Sequence, residues 1–134
     1  ARIFRPGEDL FAQLAQREAA SALGAVFIDE AQFLTPVQVG QLTHVCDDLD
    51  IPVLCYGLRT DFQGKLFDGA ASLLALADEL REVRTICHCG RKATMNLRTN
   101  TAGAPVRHGD QIAVEKSGYV ALCRKHFREA LGDA

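Results

Sequence analysis

Val26-Phe27-Ile28-Asp29-Glu30-Ala31-Gln32-Phe33-Leu34 is an apolar run that ends in two carboxylates, an amide and an aromatic ring. Residues 26–28 read as a strand that is apolar without alternation, the pattern of a parallel sheet covered on both faces. Such a strand delivers Asp29 and Glu30 to the carboxyl edge of the sheet, where open α/β folds bind ligands. Successive side chains on extended backbone point apart, so the two acids can take separate tasks, one beside a cation and one beside a hydroxyl or water. A strand ending in a solvated acidic turn carries the same letters, and this stretch alone leaves both readings standing.

The flanking segments follow helical and strand spacing. Residues 8–23 set Leu10, Phe11, Leu14, Ala15 and Ala22 at helical intervals, behind the acids Glu8 and Asp9. Thr35-Pro36 offers an N-cap followed by proline at the first helical position, and Leu42, Val45, Cys46 and Leu49 mark one face of a helix over 36–49. Ile51-Pro52-Val53-Leu54-Cys55-Tyr56-Gly57 reads as a second strand. Strand, helix and strand joined by short links predict a βαβ unit with a parallel pair. The loop at 58–67 then emerges at the same sheet edge as Asp29 and Glu30, and 69–83 return to helical spacing with Leu73, Leu76, Leu80 and Val83. From Thr85 onward the texture changes to short alternating segments (93–98, 111–115 and 119–122) and a closing basic helix from Arg124 to Leu131. This predicts an α/β core over 1–84 and a small β-rich module over 85–134.

With 134 residues, 48% hydrophobic and 24% charged, the chain suits one domain with a small appended module. A formal net charge of −2 gives no broad electrostatic basis for a nucleic-acid partner. No apolar run has membrane-spanning length and no secretory signal opens the chain, so a cytoplasmic location is the expectation.

Of the five cysteines, Cys46 and Cys55 lie in apolar helix and strand patterns, the usual setting of a buried thiol. Cys87-His88-Cys89-Gly90 and Cys123-Arg124-Lys125-His126 are two pairs of soft or borderline ligands, suited to a closed tetrahedral zinc site. A β-module this small has little core, and a metal would hold it folded. The single residue between Cys87 and Cys89 is a tight spacing, which makes His88 a rival ligand. Buried reduced cysteines beside a surface His126 are the alternative, and His44 and His108 read as surface residues.

Residues 26–33, the loop Gly57-Leu58-Arg59-Thr60-Asp61-Phe62-Gln63-Gly64-Lys65-Leu66-Phe67, and the Cys/His pairs closing in Tyr119-Val120-Ala121-Leu122-Cys123-Arg124-Lys125-His126 occur in that order. Together they closely resemble the zinc-containing, tetrameric class of thymidine kinases, in the form found in gamma-proteobacterial enzymes. The resemblance covers nearly the whole chain from about Leu10. It implies a P-loop-NTPase-like parallel sheet, without its N-terminal strands, joined to a small zinc-ribbon-like β module with a lasso loop over about 107–119. It also implies transfer of the ATP γ-phosphate to the 5′-hydroxyl of thymidine, with ATP as donor, Mg²⁺, a structural Zn²⁺ and a homotetramer.

Carried over residue by residue, Asp29 matches the acid on the Mg–ATP side and Glu30 the general base on the nucleoside hydroxyl. Phe33, Leu58, Phe62 and Phe67 match the apolar lining of the thymine pocket, Ala113, Val114 and Tyr119 the lasso, and Cys87, Cys89, Cys123 and His126 the zinc ligands. An NTPase in which Glu30 activates water is a weaker reading, because water needs no aromatic pocket.

The chain departs from the family pattern in two places. No Gly-x-x-x-x-Gly-Lys-Ser/Thr loop occurs, and the family carries that phosphate cradle ahead of the region matched by Ala1. The expectation is a kinase without its first part, with a catalytically dead, zinc-stabilised nucleoside-binding or interaction remnant as the alternative. The lasso segment Val114-Glu115-Lys116-Ser117-Gly118-Tyr119 also lacks the Gly-Gly pair common in relatives.

Overall fold

The computed structural model describes residues 1–113 and 117–132. The chain folds as two compact units, Ala1–Arg59 with Phe67–Leu80, and Thr60–Leu66 with Arg81–Ala134. No helix among the described residues is long and apolar enough to cross a membrane.

The first unit is mixed α/β. Helix α1 (Leu10–Ala20) starts where the Asp9 carboxylate accepts from the Ala12 amide at 2.9 Å, and it buries Leu10. Strand β1 (Val26–Ile28) pairs in parallel with β2 (Val53–Cys55) in the register Val26↔Val53, Phe27↔Leu54, Ile28↔Cys55. Between them runs α2 (Pro36–Leu49), opened by a reciprocal capping box. Thr35 Oγ1 accepts from the Gln38 amide and Gln38 Oε1 accepts from the Thr35 amide, each at 3.1 Å. The buried Gln38 also donates through Nε2 to the Arg5 carbonyl at 2.6 Å, which ties the chain's first residues to α2. Leu10, Ile28, Ala31, Leu34, Val39 and Leu42 form the core.

Two expectations are corrected in this unit. β1 is covered on one face only: Ile28 is buried in the cluster with Leu10 of α1 and Val39 and Leu42 of α2, whereas Phe27, on the opposite face, is 67% exposed. Helix α3 (Asp68–Leu76) stops well short of residue 83. Leu80 and Val83 are largely exposed, so the later residues bury no apolar face that would support continued helix.

The second unit is built from two antiparallel pairs. β3 (Thr85–Ile86) pairs with β4 (Lys92–Ala93), and β5 (Met95–Thr99) with β6 (Gly118–Leu122). α4 (Arg124–Leu131) follows and ends at Gly132, whose φ of 77° is a left-handed C-cap. Cys87, Leu97, Leu122, Cys123 and Phe127 make its core. Of the segment expected as a strand over 111–115, residues 111–113 are bends and loop, and 114–115 lie outside the described residues.

Candidate active site and metal centre

Asp29 and Glu30 are both exposed at the carboxyl end of β1. Asp29 Oδ1 accepts from the Glu30 amide at 2.9 Å, and Glu30 itself takes a left-handed conformation (φ 51°, ψ 40°). That conformation is uncommon for a glutamate and marks a position held by its surroundings. The surroundings are identifiable. The Tyr56 amide donates to the Ile28 carbonyl and the Ala31 amide to the Tyr56 carbonyl, both at 2.8 Å, so Tyr56, the residue after β2, grips the chain on either side of the two acids. The single 3-10 turn Ala31–Phe33 then carries Gln32 inward, where it is 3% exposed. Its amide bridges two segments: Nε2 donates to Glu30 Oε2 at 2.5 Å and Oε1 accepts from the Leu58 amide at 3.1 Å. Glu30 is thus the exposed end of a relay anchored in the loop after β2.

The aromatic residues fall in two places. In the first unit Phe33 and Phe67 meet edge to face at 5.7 Å, with Phe67 buried and both Phe33 and Leu58 partly open to solvent. In the second unit Phe62 is buried with the Arg98 guanidinium 3.7 Å above its ring centre, and Arg98 Nε donates to the Tyr119 hydroxyl at 3.1 Å. Ala113 is half-buried and Val114 lies outside the described residues. Thr60 Oγ1 is buried with no hydrogen-bond partner among the described residues.

The Cys/His pairs converge. Cys87 opens a tight turn in which the Gly90 amide donates to the Cys87 carbonyl at 2.8 Å, and Gly90 closes it with a φ of 83° that favours glycine. Cys123 is the N-cap of α4, and His126 sits one turn into that helix. The donor atoms of Cys87, Cys89, Cys123 and His126 all lie within 4.8 Å of one another. Nδ1 of His126 is 3.4 Å from Cys87 Sγ and 3.5 Å from Cys123 Sγ, and the Cys89 and Cys123 sulfurs are 3.9 Å apart. Tetrahedral zinc with bonds of about 2.0–2.3 Å separates its donors by about 3.5–3.8 Å, close to these three distances, so the group is one that could hold that ion.

Electrostatics favours a thiolate at Cys87 but not at Cys89, where the Arg91 amide lowers the thiol and burial with the Cys87 and Cys123 sulfurs outweighs it and pushes it up. Burial pushes the Cys87 thiol up, but the amides of Cys89 and Cys123 and the His126 ring outweigh it and bring the pKa down to about 5. His88 is not one of the four converging donors. Its ring stacks on His126 at 4.3 Å, with Nδ1 3.7 Å from Cys87 Sγ.

Two side chains that the sequence did not single out carry this geometry. Gln32 was visible only as a polar residue after the acids, because its partner at Leu58 is remote in sequence. Arg98 lies beside Leu97 in a strand whose alternation sends it to solvent, yet both are buried. No local pattern marks either one.

The thymidine kinase family profile matches residues 5–127. The chain is 60% identical over 134 residues to a thymidine kinase of Ruegeria pomeroyi, covering 99% of this chain and 68% of that protein. It is 57% identical to the thymidine kinase of Mesorhizobium japonicum, covering 100% of this chain and 66% of that protein. With the thymidine kinase of Photobacterium profundum the identity is 52%, over 98% of this chain and 69% of the relative. The chain thus spans about two thirds of the length of the curated relatives it matches. Matched from end to end at this level, the chain belongs to the thymidine kinase family.

Proposed function

We propose that this chain supplies the nucleoside-binding and proton-accepting side of a kinase that transfers the γ-phosphate of ATP to the 5′-hydroxyl of thymidine. The observation that carries the reading is Glu30, displayed at the end of β1 in a left-handed turn with its carboxylate held by the buried Gln32. A general base must be presented in a defined direction within hydrogen-bond reach of its proton, and the Leu58–Gln32–Glu30 relay supplies that direction. Asp29 stands beside it with one oxygen engaged by the Glu30 amide, suited to the Mg–ATP side. When bound, Mg²⁺ neutralises charge on the transferring phosphate. Phe33, Leu58, Phe62, Phe67, Ala113, Val114 and Tyr119 are assigned to the thymine pocket and its lasso. A methylated pyrimidine is matched by such apolar lining with a few polar groups.

In this reading Cys87, Cys89, Cys123 and His126 hold a structural zinc, supported by four soft or borderline donors within 4.8 Å of one another. The α/β core over 1–84 is of P-loop-NTPase type and residues 85–134 act as the zinc-ribbon-like lasso module. Cytoplasmic location and a homotetramer complete the assignment. The continuous match over residues 5–127 favours this reading over a catalytically dead remnant.

The test is Glu30→Gln in the full-length kinase that carries this chain. Loss of thymidine phosphorylation by about a hundredfold or more, with thymidine binding retained in calorimetry, is the expected result. Near-normal turnover would remove Glu30 from the role of base.

A further inference from the structure

Arg98 is 4% exposed, and an arginine is almost never buried so completely unless its donors are all engaged. Here they are spread over three acceptors. Nε donates to the Tyr119 hydroxyl at 3.1 Å, one terminal nitrogen to the Asp110 carbonyl at 2.7 Å, and the other to the Gln111 carbonyl at 2.8 Å. The face of the same planar group lies on Phe62 at 3.7 Å. Edge and face of one cation therefore hold β6, the loop before Ala113 and the segment Thr60–Leu66 at fixed angles.

A second set of bonds runs parallel to it. Gln111 Nε2 donates to Asp61 Oδ2 at 3.0 Å, and Gln63 Nε2 donates to the Arg107 carbonyl at 3.0 Å. Asp61 is 4% exposed, and its other oxygen accepts from the amides of Gln63 and Lys65 at 2.8 and 3.0 Å. Burying a guanidinium and a carboxylate for a loop that merely crossed solvent would cost free energy with no return. Two carbonyls on consecutive residues, both captured by one rigid fork, leave that stretch of backbone a single orientation.

We propose that Arg98 is a positioning residue for nucleoside recognition: it preorganises the backbone leading into Ala113 against the Phe62 segment, so that thymidine meets ordered hydrogen-bonding groups. This rests on the proposed reading that residues 60–67, 107–113 and Tyr119 belong to the nucleoside site. Ordering such a loop before binding removes that entropic cost from the binding step, so its loss weakens affinity while leaving the chemistry at Glu30 alone. Lysine is not a substitute, because one ammonium cannot reach three acceptors spread around a plane.

The test uses the full-length kinase with Arg98→Ala, Arg98→Lys and Gln111→Ala, read by steady-state kinetics and by amide hydrogen exchange over residues 106–113. Arg98→Ala and Arg98→Lys are expected to raise KM for thymidine about tenfold or more, with kcat and KM for ATP within about twofold. Added guanidinium ion restores part of the loss in Arg98→Ala. Gln111→Ala changes an exposed residue and raises KM several-fold, which keeps the test valid should Arg98→Ala not fold. A thymidine KM within about twofold of the parent in the folded variants would overturn the proposal. Faster exchange over 106–113 with that same unchanged KM would show that the clamp exists but the loop does not face the nucleoside. Failure of the base assignment shows separately, as an unchanged kcat in Glu30→Gln.

Discussion

Gly57→Ala tests the packing that holds the candidate base. Gly57 follows β2, where the hydrogen bonds of Tyr56 draw it against the turn at Ala31–Gln32. A methyl group built there would stand 2.5 Å from Gln32 Oε1, 2.9 Å from the Gln32 amide nitrogen and 3.1 Å from that of Ala31. The Gln32 side chain cannot swing aside without giving up the Leu58 and Glu30 contacts, and the two nitrogens belong to the backbone. Overpacking of this kind costs about 1–3 kcal/mol, and losing the Leu58 bond adds about 1 kcal/mol. The stiffer unfolded chain offsets about 0.4–1 kcal/mol, leaving a net destabilisation of about 2–3 kcal/mol. With a urea slope of about 1–1.5 kcal/mol/M, the midpoint falls by about 2 M, measured by circular dichroism on zinc-loaded protein. Gly40→Ala is the control: nothing lies within 4 Å of its added methyl inside α2, and it should gain about 0.8–1 kcal/mol. A Gly57→Ala midpoint unchanged from the parent, or shifted upward like the control, would refute the reasoning.

Two further outcomes follow from the cysteines. Purified protein should carry one zinc per chain, and Cys123→Ser should lose the metal together with amide protection in β3–β6; native protection with full metal content in that variant would contradict the site. Burial, with the Cys46 thiol beside it, pushes the Cys55 thiol up to about 11 from 9.0. Its folded pKa is the higher one, so its contribution to stability is fully present below about pH 9 and is lost as pH rises through about 11. Urea midpoints taken across that window should fall more steeply in the parent than in Cys55→Val, and parallel slopes would contradict the burial.

The bounds of α2 were legible because their causes are local. Thr35, Pro36 and Gln38 are contiguous, and the structure starts the helix at Pro36 and ends it at Leu49 as expected. The parallel pairing of β1 with β2 was legible for a similar reason, since short links around one helix leave few other arrangements. The two Cys/His pairs were legible from ligand chemistry and close spacing within each pair, but that reading left His88 as a rival, and the set Cys87, Cys89, Cys123 and His126 that converges in the structure came from the family resemblance. The end of α3 and the exposure of Phe27 were misread, because both depend on what packs against a face and not on the letters along it.

The sequence by itself therefore determined the order of elements, the acidic strand end and the two separate Cys/His pairs, all of which rest on residues within a few positions of one another, whereas the meeting of the two pairs across 34 positions is tertiary. Tertiary structure alone decided the left-handed Glu30, the Gln32 relay and the buried Arg98 with its clamp on Phe62. These depend on bonds between residues far apart in the chain: Leu58 donates to Gln32 across 26 positions, and Gln111 to Asp61 across 50. A polar side chain finds such a partner only after the backbone has been brought round, so nothing in its own neighbourhood announces it.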